Sequence, residues 1–208
     1  MISLGAAAGM ATVALAMVLT PGPNMIYLVS RSITQGRRAG LVSLAGVACG
    51  FLVYMTAAAT GVSAVFTLVP FAYDAIRLAG AAYLLWLAWT AVRPGGTSVF
   101  AAQGLPVDRP RRLFTMGLVT NLLNPKIAIL YVSLLPQFVD PARGNVAAQS
   151  LLLGCVQIAV ALTFNAGFVL TAGAVAGFLS RRPSWLKAQR YAMGTVLAGL
   201  AVSLTASR

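Results

Sequence analysis

Two prolines interrupt apolar runs that are each long enough to cross a membrane, at corresponding places in the two halves of the chain. The first interruption reads Thr20-Pro21-Gly22-Pro23-Asn24 and the second Asn124-Pro125-Lys126, and about half of the 208 residues separate Pro23 from Pro125. A proline inside a helix removes one intrahelical hydrogen bond and frees carbonyls of the preceding turn. In hydrocarbon those groups need partners, so broken helices persist only against protein or a polar cavity. Matching interruptions in two halves point to the binding site of a secondary transporter.

Composition makes the bilayer the solvent. Apolar residues make up 59% of the chain, charged residues 9%, and the mean hydropathy is +0.86. A soluble domain carries about 25% charged residues. The net charge of +12 sits in short loops between apolar runs, which is a membrane-topology pattern; with no basic domain, nucleic acid is not an expected partner. The chain has no His and no Glu, and its acids are Asp74, Asp108 and Asp140. A histidine zinc site and a Ser-His-Asp relay are thereby excluded, and no metal, cofactor or enzymatic activity is expected. Cys49 and Cys155 lie mid-way along apolar runs, where free Cys behaves as a small hydrophobe. Residues 4–19 resemble a signal-peptide core, but no basic segment precedes them, so they read as a retained first span.

A span of about 20 residues at 1.5 Å each crosses the hydrocarbon. That length gives six spans, near 4–30, 40–66, 72–92, 113–135, 147–179 and 188–206. Arg31, Arg37 and Arg38 fall after the first, Arg93, Arg109, Arg111 and Arg112 (offset by Asp108) after the third, and Arg181 and Arg182 after the fifth. The intervening loops carry only Asp140 and Arg143. The alternation places the basic loops in the cytoplasm and both termini outside. Residues 94–110 form a cytoplasmic linker between two three-helix repeats, 1–93 and 111–208, which enter the membrane in opposite senses. The expected fold is an all-α integral membrane protein of six transmembrane helices, built as two inverted repeats with helices 1 and 4 broken at Pro.

The expected site follows from the breaks. Pro21, Gly22 and Pro23 unwind the first span, and the half-helix opening at Pro23 offers unpaired N–H groups to a carboxylate, with Asn24 adding donor and acceptor. The plainer alternative is a packed kink. At the second break Asn124 can cap, Pro125 takes the first helical position, and Lys126 lies near mid-bilayer. A cation there costs about 2.5–3.5 kcal/mol on insertion scales and stands too deep to snorkel, so it belongs in a polar cavity. Asp74 and Arg77 share a helix face, as an interfacial ion pair or as an outer gate or coupling group. Gly46 with Gly50, and Gly173 with Gly177, have small-xxx-small spacing for close helix approach. Tyr54, Tyr83, Trp86, Trp89 and Trp185 read as interface anchors.

Thr20-Pro21-Gly22-Pro23-Asn24, the Gly-Arg-Arg-Ala-Gly loop at 36–40, Gly80-Ala81-Ala82-Tyr83-Leu84, and Thr120-Asn121-Leu122-Leu123-Asn124-Pro125-Lys126 running on to Leu134–Pro141 resemble the LysE/RhtB family of bacterial amino-acid exporters. The resemblance implies a multi-pass inner-membrane exporter of amino acids or derivatives, driven by the proton gradient, whose motifs fall on Pro21, Gly22, Pro23, Asn24, Asn124, Pro125 and Lys126. The scarcity of acids favours a neutral amino acid over lysine or arginine. Amino acid and membrane lipid are the expected partners, and a homodimer is compatible with such a chain. Two other readings stay open: an intramembrane thiol relay through Cys49 and Cys155, and a passive channel or another small-solute carrier.

Overall fold

The computed structural model describes residues 2–68 and 107–179, with isolated positions at 78, 81, 82, 85, 86, 89, 191, 195, 198, 199, 201 and 202. Every element among them is helical. In chain order these are α1 (Leu4–Leu19), α2 (Pro23–Gln35), α3 (Arg37–Leu68), α4 (Pro110–Leu122) and α5 (Pro125–Ile129). The last runs on through a π turn (Leu130–Leu134) and a 3-10 turn (Leu135–Phe138); Pro141–Arg143 and α6 (Val146–Leu179) follow. Spans three and six fall almost wholly outside the described residues, so four of the six expected crossings are in view.

Two single helices are long and apolar enough to cross, Arg37–Gly61 and Val146–Ala174. Two bent pairs are long and apolar enough when taken together, α1 with α2 at 55° and α4 with Pro125–Phe138 at 49°. Both expected breaks are therefore present. Their local cause is visible in the backbone. Pro23 and Pro125 each occupy a first helical position, where a missing N–H costs nothing. Thr20 leaves the helical region at φ −75°, ψ 124°, and Gly22 is fully extended. A further proline, Pro136, explains the change of winding after Ile129: it has no N–H to give the carbonyl four residues back. The span expected near 113–135, broken at Pro125 as the sequence suggested, thus also changes winding beyond the break, from α through π to 3-10.

Close packing of α3 on α4 holds the frame. A Cβ on Gly46 would run into the backbone carbonyl of Phe114, one on Gly117 into that of Ser43, and one on Gly50 into the Asn121 side chain. The Gly46/Gly50 spacing thus does what the sequence suggested, with Gly117 as its counterpart. Among the described residues nothing lies within 4 Å of a Cβ on Gly173, and the surroundings of Gly177 lie outside them. The shared core gathers Met10, Val13 and Met17 of α1, Leu28 of α2, Val47 and Phe51 of α3, Leu130 and Tyr131 after the second break, and Leu153 and Ala161 of α6.

Candidate functional site

Pro21 leaves the carbonyl of Met17 without the N–H that a continuous helix would supply. Thr20, at the end of α1, likewise presents an unclaimed carbonyl at the break. The Lys126 ammonium, from the other broken helix, answers both: its Nζ donates to Met17 O at 2.8 Å and Thr20 O at 2.7 Å. Lys126 is buried, at 6% exposure, and so is not a snorkelling side chain. A cation on the carbonyl end of α1 also suits the helix dipole. Gly22 makes the approach feasible, since a Cβ there would stand 2.9 Å from Nζ. The two breaks are therefore joined through one side chain.

The second break is closed by its own cap. Asn124 Oδ1 accepts from the Lys126 backbone N–H at 3.1 Å, as the sequence suggested. That bond occupies the Lys126 N–H and leaves Asn124 Nδ2 as the group with no partner among the described residues. In a continuous helix this N–H would have served Leu122 O; the Tyr54 hydroxyl donates to that carbonyl instead, at 2.7 Å. Tyr54, expected as an interface anchor, is a second brace of the break, stacked on Tyr131 with ring centroids 5.6 Å apart. Trp86 and Trp89 are exposed, at 56% and 66%, as anchors would be. Tyr54→Phe is expected to lower stability by about 1 kcal/mol, read as a shifted melting midpoint in detergent, because one buried carbonyl loses its donor.

A cavity of about 20 Å³ lies between the breaks, lined on one side by Asn24, Asn124 and Lys126 and on the other by Phe51, Gln157 and Asn165. That volume suits about one water and not an amino acid. Asn24 and Asn124 are 6% and 1% exposed, and Asn24 Oδ1 and Asn124 Nδ2 have no partner among the described residues. A free acceptor and a free donor thus stand beside a cation. Gln157 Oε1 accepts from the Tyr131 hydroxyl at 2.6 Å, while Asn165 Nδ2 donates to Ala161 O at 2.8 Å. Sequence reading passed over Gln157, Asn165 and Phe51. The signal was there: Gln157, Ala161 and Asn165 recur every four residues, one helix face, in an otherwise apolar run.

Of the expected site residues, Asn24, Asn124 and Lys126 line the cavity and Gly22 lies against the Lys126 side chain, while Pro21, Pro23 and Pro125 shape the breaks without lining it, Pro23 and Pro125 being exposed. Asp74 and Arg77 lie outside the described residues, as do Tyr83 and Trp185. Cys49 and Cys155 are free thiols, and Cys155 Sγ lies 3.9 Å from the Met55 sulfur. Arg31 departs from expectation. It belongs to α2 and not to a loop, is 6% exposed, and pairs with Asp108, itself buried.

Apolar crossings, two of them broken around a buried polar cavity, define a membrane protein of the translocator class. The chain belongs to the LysE type translocator family, whose model matches residues 15–208; it is a transport protein and not an enzyme. It is similar to a homoserine/homoserine lactone efflux protein of Salmonella typhimurium, 30% identical over 190 residues that cover 91% of each chain. It is also similar to a leucine efflux protein of an Enterobacter species (27% over 192 residues, 90% of this chain and 89% of the relative). An uncharacterized membrane protein of Pseudomonas aeruginosa matches at 27% over 195 residues, again 90% and 89% of the two chains. No solved structure matches.

Proposed function

We propose that this protein exports neutral amino acids or their derivatives across the bacterial inner membrane by alternating access, driven by the proton gradient. The observation that carries the reading is the Lys126 ammonium bridging both breaks beside Asn24 Oδ1 and Asn124 Nδ2, which have no partner among the described residues. An α-amino acid has one cationic and one anionic pole. Asn24 Oδ1 would accept from its ammonium, and Asn124 Nδ2 with Lys126 would take its carboxylate. Lys126 uses two of its three N–H groups on carbonyls, so a carboxylate can claim the third or displace one carbonyl. Displacement would loosen the grip of one broken helix on the other, which links occupancy to movement. The efflux names of the relatives agree with a small zwitterion as cargo.

Neutrality follows from the lining, which has amides, a cation and apolar walls and no carboxylate among its described residues. A cationic side chain would enter without a counter-charge. In this reading residues 1–93 and 111–208 are the inverted halves, 94–110 the cytoplasmic linker, both termini are periplasmic, and Asp74 with Arg77 serves the outer gate or the coupling step. Two copies side by side in the membrane would suit such a chain. A thiol relay draws no support from two cysteines that make no pair, and replacing both with Ala should leave export intact. Counterflow in proteoliposomes tests the proposal: radiolabelled leucine or threonine should exchange with trans-stimulation while arginine does not. Arginine exchange alone would end the neutral assignment, and flux without trans-stimulation would make the protein a channel.

A further inference from the structure

The sequence left Arg31 among the loop charges, yet the fold buries it against Asp108 in the segment that leads into α4. The pair is almost sealed from solvent, with side-chain exposures of 7% for Arg31 and 2% for Asp108. Around it stands a polar collar. Asp108 N–H donates to Gln35 Oε1 at 2.9 Å, and Arg112, mostly exposed, reaches the same carboxylate at 3.0 Å. The Arg31 guanidinium lies 5.6 Å from the Tyr27 ring centroid. The Tyr27 hydroxyl donates to Leu113 O at 2.7 Å and accepts from Ser43 at 3.2 Å.

Three features make this collar separable. First, Asn24, Tyr27 and Arg31 share one stripe of α2, so the ion pair lies about 10 Å from the cavity along the same face. Second, α2 is bounded by flexible points, extended Gly22 and Gly36 with φ +85°. Third, α4 is fastened to α3 by the direct backbone contacts at Gly46 and Gly117, and α2 packs on α3 at Gly40 and on α6 through Met25 and Val29, whereas α2 meets the Asp108 segment largely through polar bonds. Polar bonds can be exchanged for water, while close-packed backbones move together. The exposed Asp140–Arg143 pair, at the far end of the same broken helix, has no such burial.

We infer that the Arg31–Asp108 pair, with Gln35 and Tyr27, is a latch that closes the basic-loop end of the cavity. Breaking it parts α2 from the start of α4 and admits solvent and substrate from that side. This inference rests on the cavity being the transport site, and its test needs no substrate. A cysteine is placed at the cavity wall (Ala161→Cys) in a Cys49→Ala, Cys155→Ala background. Its rate of labelling by a membrane-impermeant maleimide is read in inside-out and right-side-out vesicles. Asp108→Asn should raise the rate at least tenfold in inside-out vesicles, Asp108→Glu should keep it slow, and Arg143→Ala should change nothing. If Asp108→Asn fails to reach the membrane, Gln35→Ala removes one collar bond and should still raise the rate at least threefold. An unchanged rate in a well-inserted variant, or a rise from the other side alone, overturns the latch. Failure of amino-acid counterflow with a positive labelling result would instead indict the cargo.

Discussion

Lys126→Met is expected to reduce counterflow at least a hundredfold while the protein still reaches the membrane. Three losses coincide in that variant. Met17 and Thr20 lose the donor that satisfies their carbonyls in a low-dielectric setting, at about 1–3 kcal/mol each. The cavity loses its cation beside Asn24 and Asn124. The two broken helices lose the side chain that joins them. Methionine fills nearly the same volume, so packing is retained and the charge is isolated as the cause. Lys126→Arg should recover little, because a planar fork cannot reproduce a point donor held between two carbonyls. Transport near the parent level in Lys126→Met would remove Lys126 from the mechanism.

The second large effect is structural. Gly117→Val places side-chain carbon where the Ser43 backbone carbonyl lies, and neither backbone can give without parting α3 from α4. Overpacking that forces backbone shifts costs about 1–3 kcal/mol and more where nothing yields. The expected result is at least a tenfold loss of monodisperse protein extracted from the membrane. Gly173→Val, with no described atom within 4 Å of the new carbon, should leave that yield unchanged. Equal yields from the two variants would mean that α3 and α4 are not held by direct backbone contact.

Much of this was legible beforehand, because membranes limit what a sequence can do. The breaks at Pro23 and Pro125, the long crossings over 40–66 and 147–179, and the shelter of Lys126 all follow from hydrogen-bond and charge costs in hydrocarbon. What could not be read was which groups meet across the fold. Lys126 was expected in a polar cavity, yet it also caps α1, because Pro21 frees a carbonyl within its reach. Arg31 was counted among solvated loop charges, since a loop census cannot see Asp108 folding onto it from 77 residues away. Tyr54 was assigned to the interface on residue type alone, while its hydroxyl answers a carbonyl that exists only because Asn124 caps Lys126. Two of these misses share a cause, a backbone group freed at a break that recruits a side chain from another helix, and the third is an ion pair between residues far apart in sequence.

The most direct test is substrate protection of the thiol introduced by Asn24→Cys in the Cys49→Ala, Cys155→Ala background, with Asn24→Ser made in parallel as a control of similar size. With the serine variant still exchanging leucine or threonine, saturating neutral amino acid should slow maleimide labelling of Cys at 24 several-fold, with the concentration dependence seen in exchange, and Lys126→Met should abolish that protection. A labelling rate indifferent to amino acid, in protein that still exchanges it, would show that cargo passes elsewhere and that the joined breaks are only a kink.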